Sequence, residues 1–185
     1  VATVRVGDIR DYTRLVRHAL SEELQRSVGR VFETLAERVQ AEGGSVKEYQ
    51  GDAILAWWEG DFDGGQAARA CRAALALDGL ARRLAASRES WPLEHPLEMH
   101  WALSTGLVLI DSIGRSGAVA LSMMGEPVVR AFRIEKLAAP HTGRILACGA
   151  TRDMAGDAFA FRDLGEVTAA GFDCPDRIFA LVGER

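Results

Sequence analysis

Two aspartates, Asp8 and Asp52, each directly follow a glycine, Gly7 and Gly51. A glycine lets backbone approach closely, so each carboxylate can stand at the end of an element with room beside it. Brought together, the two would form a hard oxygen site suited to Mg²⁺ or Mn²⁺. Gly-Asp is also ordinary turn chemistry, and each residue taken alone could equally cap a turn. Glu94, His95, Glu98 and His100 offer further possible ligands, but Pro96 breaks any shared helical face, so the segment reads as a loop entering a strand. No GxSxG, phosphate-loop or HExxH pattern occurs in the sequence. Cys71, Cys148 and Cys174 are odd in number and form no CxxC pair. That argues against a zinc site or a disulfide framework and for a reducing compartment.

Certain elements must position these residues. Residues 1–9 alternate, with Val4 and Val6 on one side, and predict a strand ending on Asp8. A short helix follows over 11–20. Ser21, Glu22 and Glu23 read as a helix start, and Leu24, Val28, Val31, Leu35 and Val39 recur at helical spacing until Gly43-Gly44 stops them. Residues 45–49 and 53–58 predict a hairpin whose tight turn carries Asp52. Residues 61–65 read as a turn and 67–86 as a second long helix. Residues 89–98 form a loop, and 97–113 is strand-like with an interruption at Gly106. A turn at 114–117 leads to a returning strand at 118–121. Gly125-Glu126-Pro127 opens a third helix reaching about 139, with Pro140 after it. Residues 144–148, 159–164 and 177–182 complete the strands. The pattern predicts an α+β sandwich, a mixed sheet with helices covering one face.

The chain has 185 residues, a net charge of −4, 48% hydrophobic and 26% charged residues. One domain with a full core is expected, and no basic excess points to nucleic acid. No apolar run reaches the length of a membrane span, and no signal peptide is visible. The chain opens on Val1, directly in a strand, so we expect a domain excised from a longer protein with its regulatory part elsewhere.

Three blocks carry a resemblance: DIRDYTRL from Asp8 to Leu15, GGSVKEYQGDAILAWW from Gly43 to Trp58, and GEPVVRAFRIEKLA from Gly125 to Ala138. In order and separation they resemble the class III adenylyl/guanylyl cyclase catalytic domain. The tail segments GRILACGATRDM and LGEVTAAGFDCPDRIFAL resemble that family's closing strands. The resemblance spans nearly the whole chain and implies a ferredoxin-like core working as a head-to-tail homodimer. It implies that Asp8 and Asp52, with the main-chain carbonyl of Ile9, hold two divalent cations, Mg²⁺ or Mn²⁺. One ion would activate the ribose 3′-hydroxyl and the other would hold the triphosphate. The 3′-oxygen then attacks the α-phosphorus and pyrophosphate leaves. Tyr12 and Thr13 would sit in the loop whose amides face the phosphates. Arg133 falls on the family's transition-state arginine, although on its own it reads as a solvated helix charge beside Arg130 and Lys136.

The family's two base-reading positions fall on Glu48 and Ser122. Guanine offers N1–H and N2–H₂ donors that suit a carboxylate, so this pair favours GTP over ATP. Lys47 is adjacent, and a one-residue slip would exchange the two side chains between faces. Three positions depart from the family pattern. Val129 stands where an asparagine orients the ribose, Asp11 replaces a glycine of the phosphate loop, and Ala170-Gly171 lacks a lysine.

The expected activity is therefore a metal-dependent nucleotidyl cyclase, making a cyclic monophosphate and pyrophosphate from GTP or ATP in the cytoplasm. The alternative is a degenerate domain that binds nucleotide or dimerises without turnover. A dinucleotide cyclase is disfavoured, because the hairpin reads Tyr49-Gln50-Gly51-Asp52-Ala53 and not GGDEF.

Overall fold

The computed structural model describes residues 1–18, 22–60, 64–115, 118–168 and 171–185, with backbone alone at 18, 48–50, 112–115 and 118–120. The elements in chain order are β1 (Ala2–Ile9), α1 (Tyr12–His18), α2 (Glu22–Ala41), β2 (Ser45–Gln50), β3 (Ala53–Glu59) and α3 (Gly65–Ala86). They continue with β4 (Met99–Gly106), β5 (Leu109–Arg115), β6 (Ala118–Met124), α4 (Glu126–Glu135), β7 (Ile145–Cys148), α5 (Gly149–Ala155), β8 (Phe159–Val167) and β9 (Asp176–Glu184). The predicted N-cap Ser21 and turn residues 61–63 lie outside the described residues.

Seven strands form one mixed sheet in the order β2-β3-β1-β4-β7-β9-β8, and β5 and β6 form a separate hairpin. The β4–β7 pair is parallel. β1 is central and buried along its whole length. Its alternation sorts two cores. Ile9 joins Ile54, Trp58 and Trp101 under α1, α2 and α3. Val4 and Val6 join Leu55, Trp57, Met123 and Ala131 on the opposite face. Each apolar α2 residue buried in the first of these cores, such as Leu35 and Val39, contributes roughly 1.5–3 kcal/mol.

The expectation of helices on one face holds for α1, α2, α3 and α5. It does not extend to α4, which covers the other face together with the β5–β6 hairpin. The physical reason is that Val4 and Val6 are as apolar as their neighbours, so both faces of β1 need cover. α4 is also shorter than predicted. Past Glu135 the turn tightens, with the amides of Leu137 and Ala138 bonding Ile134 and Glu135 carbonyls at 2.9 and 3.0 Å. The Thr142 hydroxyl then donates to the Leu137 carbonyl at 2.8 Å and accepts from the Ala139 amide at 2.7 Å. α5 was not anticipated. Its buried Thr151 bonds Thr105 at 2.8 Å and anchors a seven-residue helix that has no long apolar period.

Next to Asp8 the sheet is unusually constrained. The Trp101 ring lies across Gly7, where an added Cβ would sit 2.2 Å from a ring carbon. The same ring carries the Arg5 guanidinium 4.5 Å from its centroid. Arg5 is fully buried, and its three guanidinium nitrogens have no hydrogen-bond partner among the described residues. Burial pushes its pKa down to about 9. The unfolded chain therefore binds this proton more tightly than the folded one. The cost of burying the charge is fully present below about pH 9 and falls as pH rises beyond it. Cation–π attraction offsets only part of that cost. Arg5→Met is expected to stabilise the domain by about 1–4 kcal/mol at neutral pH. Urea unfolding should also show this gain narrowing at alkaline pH, and a less stable methionine variant would refute the account.

Candidate active site

Asp8 lies near the end of β1, and Asp52 lies in the turn between β2 and β3. Antiparallel pairing sets Asp8 opposite Ala53. The Ile9 amide then donates to the Asp52 carbonyl at 2.9 Å, tying the strand end to the turn. Gly51 makes the turn possible with φ of 62°, a left-handed conformation that costs glycine little. Beyond Ile9 the chain reverses at Asp11, whose φ of 56° is a value found at a glycine-like position. The Arg14 and Leu15 amides bond the Asp11 carbonyl at 2.8 and 3.1 Å and start α1. The Asp11 carboxylate is 71% exposed, with the Arg10 guanidinium 3.7 Å away.

These elements enclose a cavity of about 290 Å³ lined by Asp8, Ile9, Asp52, Tyr12 and Thr13, and also by His100, Glu135 and Lys136. The Lys136 ammonium donates to Asp8 Oδ2 at 2.5 Å and lies 3.0 Å from Glu135 Oε2. Burial and the Asp8 charge hold the Asp52 carboxyl above the usual range. Burial likewise raises Glu135. For Lys136, burial alone would lower the pKa, but hydrogen bonds and charge from Asp8 and Glu135 outweigh it and raise it. Burial, followed by the Arg10 charge, lowers His100. The lining itself carries four carboxylates, Asp8, Asp11, Asp52 and Glu135, against the two cations Arg10 and Lys136.

The residues present fit divalent cations. Asp8 Oδ1 is buried without a hydrogen-bond partner among the described residues. Asp8 Oδ2 already attracts an ammonium, the cation the chain itself can supply. Among the described residues no three His, Cys, Asp or Glu side chains converge as a metal cage. Mg²⁺ suits such a sparse site, because it commonly binds through one or two carboxylates plus phosphate and water oxygens.

No protein-family model matches the chain. It is 27% identical over 182 residues to adenylate cyclase 1 of Rhizobium meliloti (strain 1021), an alignment covering 98% of this chain and 27% of that protein. Among solved structures it superposes on the adenylyl cyclase CyaB from P. aeruginosa with a TM-score of 0.89 and 22% identity, covering 100% of this chain and 94% of the other. It matches the guanylate cyclase domain of RhGC from Catenaria anguillulae in complex with GTP with a TM-score of 0.86 and 18% identity, covering 100% and 97%. The chain has the fold of a class III cyclase catalytic domain.

Within this fold only part of the predicted site converges. Asp8, Ile9, Asp52, Tyr12 and Thr13 share the cavity. Val129 and Arg133 do not line it; both are exposed on α4. Arg133 and Glu135 are two residues apart, so they leave the helix about 200° apart. Ser122 pairs with Asp111 across the β5–β6 hairpin and is partly exposed. Glu48 pairs through its backbone with Leu55, with a register shift at Lys47; its side chain lies outside the described residues, as does Ala170.

A larger cavity of about 440 Å³ lies between α4 and the 171–176 loop. There Arg130 faces Glu126, Asp173 and Asp176, with its Nε 2.9 Å from Asp176 Oδ2. One arginine among three acids suits a triphosphate poorly, so size alone does not make this the site. The sequence had set His100 only in a disfavoured cluster of possible ligands, and had named neither Glu135 nor Lys136 as a site residue. For His100 the only signal is strand register, which sets it opposite Asp8. Glu135 and Lys136 stand inside a resembling block but at none of its functional positions.

Proposed function

We propose that this chain is the catalytic domain of a nucleotidyl cyclase that converts a purine nucleoside triphosphate to its 3′,5′-cyclic monophosphate and pyrophosphate. The observation that carries the reading is the Asp8–Asp52 pair, enclosed with the loop of Ile9, Tyr12 and Thr13 in one cavity. Two divalent cations bound there would supply the charge that makes the ribose 3′-hydroxyl acidic and neutralises the triphosphate. Asp8, Asp52 and the Ile9 carbonyl would hold them. The chain's own work is then positional. The tie between Ile9 and Asp52 keeps the carboxylates adjacent, and the amides near Tyr12 and Thr13 orient the phosphates.

Arg133 would stabilise charge on the phosphoryl oxygens from a second copy of the chain. Its exposure on the far side of α4 from Glu135 supports that arrangement. So does the exposed apolar set Leu107, Leu109, Met124 and Val129, at 73, 60, 50 and 50%. A head-to-tail homodimer would cover this surface and complete two sites. Glu48 and Ser122 would read the base, favouring GTP.

The chain spans 27% of the Rhizobium relative's length. We therefore take residues 1–185 as one catalytic domain of a longer protein carrying a regulatory part. No helix among the described residues is long and apolar enough to cross a membrane. A cytoplasmic setting fits nucleotide supply and the three free cysteines.

Purified protein with Mn²⁺ and either GTP or ATP should yield the cyclic monophosphate, read by mass. Product from GTP supports Glu48 as the base reader, and product from ATP alone overturns that assignment but not the chemistry. The exposed Val129, unable to hydrogen-bond a ribose, favours a second reading, a regulatory module without turnover. A dimeric sample giving no product from either nucleotide would select it.

A further inference from the structure

The cation already on Asp8 is a side chain of the same molecule. Lys136 follows the last residue of α4, so its stem is exposed while its ammonium reaches back over β1. Its contact with Asp8 Oδ2 is a 2.5 Å hydrogen bond, whereas its 3.0 Å approach to Glu135 Oε2 is an ion pair of poorer hydrogen-bond geometry. Asp8 and Glu135 are both buried, with side chains 11 and 5% exposed, and neither can regain water by moving. The lysine side chain is 65% exposed, so it is the one of the three with open space to swing into.

We propose that Lys136 is a resident counter-ion of the Asp8 carboxylate, a positioning residue that divalent cations must displace, and that Glu135 receives its ammonium when they bind. The proposal rests on the reading of Asp8 and Asp52 as the cation site. An ammonium 2.5 Å from Asp8 Oδ2 opposes a divalent ion on either oxygen of that carboxylate, Oδ1 included, because the two positive charges would adjoin. Glu135 Oε2, 3.0 Å from the ammonium, belongs to another carboxylate and has no close hydrogen-bond partner among the described residues. A short swing of the lysine exchanges the two partners, so the carboxylate pair is charge-compensated both with and without metal. The cost is weaker metal affinity than the bare aspartates would have.

Mn²⁺ binding to the full 185-residue chain, followed by calorimetry or by the electron paramagnetic resonance of free Mn²⁺, tests this without reference to turnover. Lys136→Met should tighten Mn²⁺ about tenfold. Arg10→Met removes a cation that lines the same cavity but pairs with Glu98 at 3.2 Å. It should tighten binding far less, and equal effects would reduce Lys136 to a contributor to the general field. Glu135→Gln should weaken binding in the wild-type background and lose most of that effect in Lys136→Met, since Glu135 acts by accepting the ammonium. An undiminished effect there would overturn the acceptor role.

The chain has two lysines, Lys47 and Lys136, so ε-labelled lysine gives two NMR signals, assigned with Lys47→Met. Mg²⁺ should shift the Lys136 signal and leave Lys47 in place. Metal binding that requires Asp8, yet is indifferent to Lys136→Met and silent at the Lys136 signal, would overturn the inference while leaving the cation site standing. Absence of Mn²⁺ binding in both wild type and Lys136→Met would remove the cation site and the inference with it.

Discussion

Asp8→Ala and Asp52→Ala are each expected to lower cyclic nucleotide formation by about a thousandfold or more. The proposed reaction would put charge on the 3′-oxygen and on the phosphoryl oxygens, and cations between these two carboxylates would supply several kcal/mol of stabilisation. Each 1.36 kcal/mol is about tenfold in rate, which sets the size of the loss. The two residues are not interchangeable. Asp8 is buried and holds the Lys136 ammonium, whereas Asp52 sits in the turn with its carboxyl raised by burial and by Asp8. Removing Asp8 leaves Lys136 with Glu135 and strips the site of its central ligand. Removing Asp52 relieves the repulsion but leaves one carboxylate. Turnover within tenfold of wild type in either variant, measured with saturating Mn²⁺, would sink the two-cation assignment.

Arg133→Ala is expected to lower kcat by about a hundredfold to a thousandfold with little change in KM, because its contact strengthens as charge develops in the transition state. The more telling result comes from mixing. If each site takes its aspartates from one copy and Arg133 from the other, a heterodimer of Asp8→Ala and Arg133→Ala chains has one intact site. Random reassortment of equal amounts should then restore about a quarter of wild-type activity. A site built within one chain would give no recovery on mixing. The exposure of Arg133, on the side of α4 away from the cavity that Glu135 lines, leads us to expect recovery.

Much of this molecule was readable in order of residues alone. Val4 and Val6 alternate with Arg5 and Gly7, the long apolar period from Leu24 to Val39 has one solution, and Gly51-Asp52 between β-branched and aromatic runs announces a hairpin turn. These are local signals, set by backbone period and glycine conformation, and the structure has the corresponding strand, helix and turn. The blocks around Asp8, Asp52 and Arg133 pointed to the cyclase fold, and the superposition on solved cyclase domains agrees with it.

Packing decided the rest. Which face α4 covers depends on both sides of β1 needing apolar cover, and period alone does not say which side a third helix takes. The carboxylate environment was equally hidden. Lys136 is 128 residues from Asp8 in the chain, and His100 reaches it only because β4 lies beside β1. Arg5 is buried because α3 covers its face of β1 and leaves the guanidinium against Trp101. Sequence therefore determined the elements and nominated the two aspartates, since those follow from local period and turn chemistry. The charges that surround the aspartates, and the separation of Arg133 from them, are long-range consequences of strand order and helix facing, which only the tertiary structure decides.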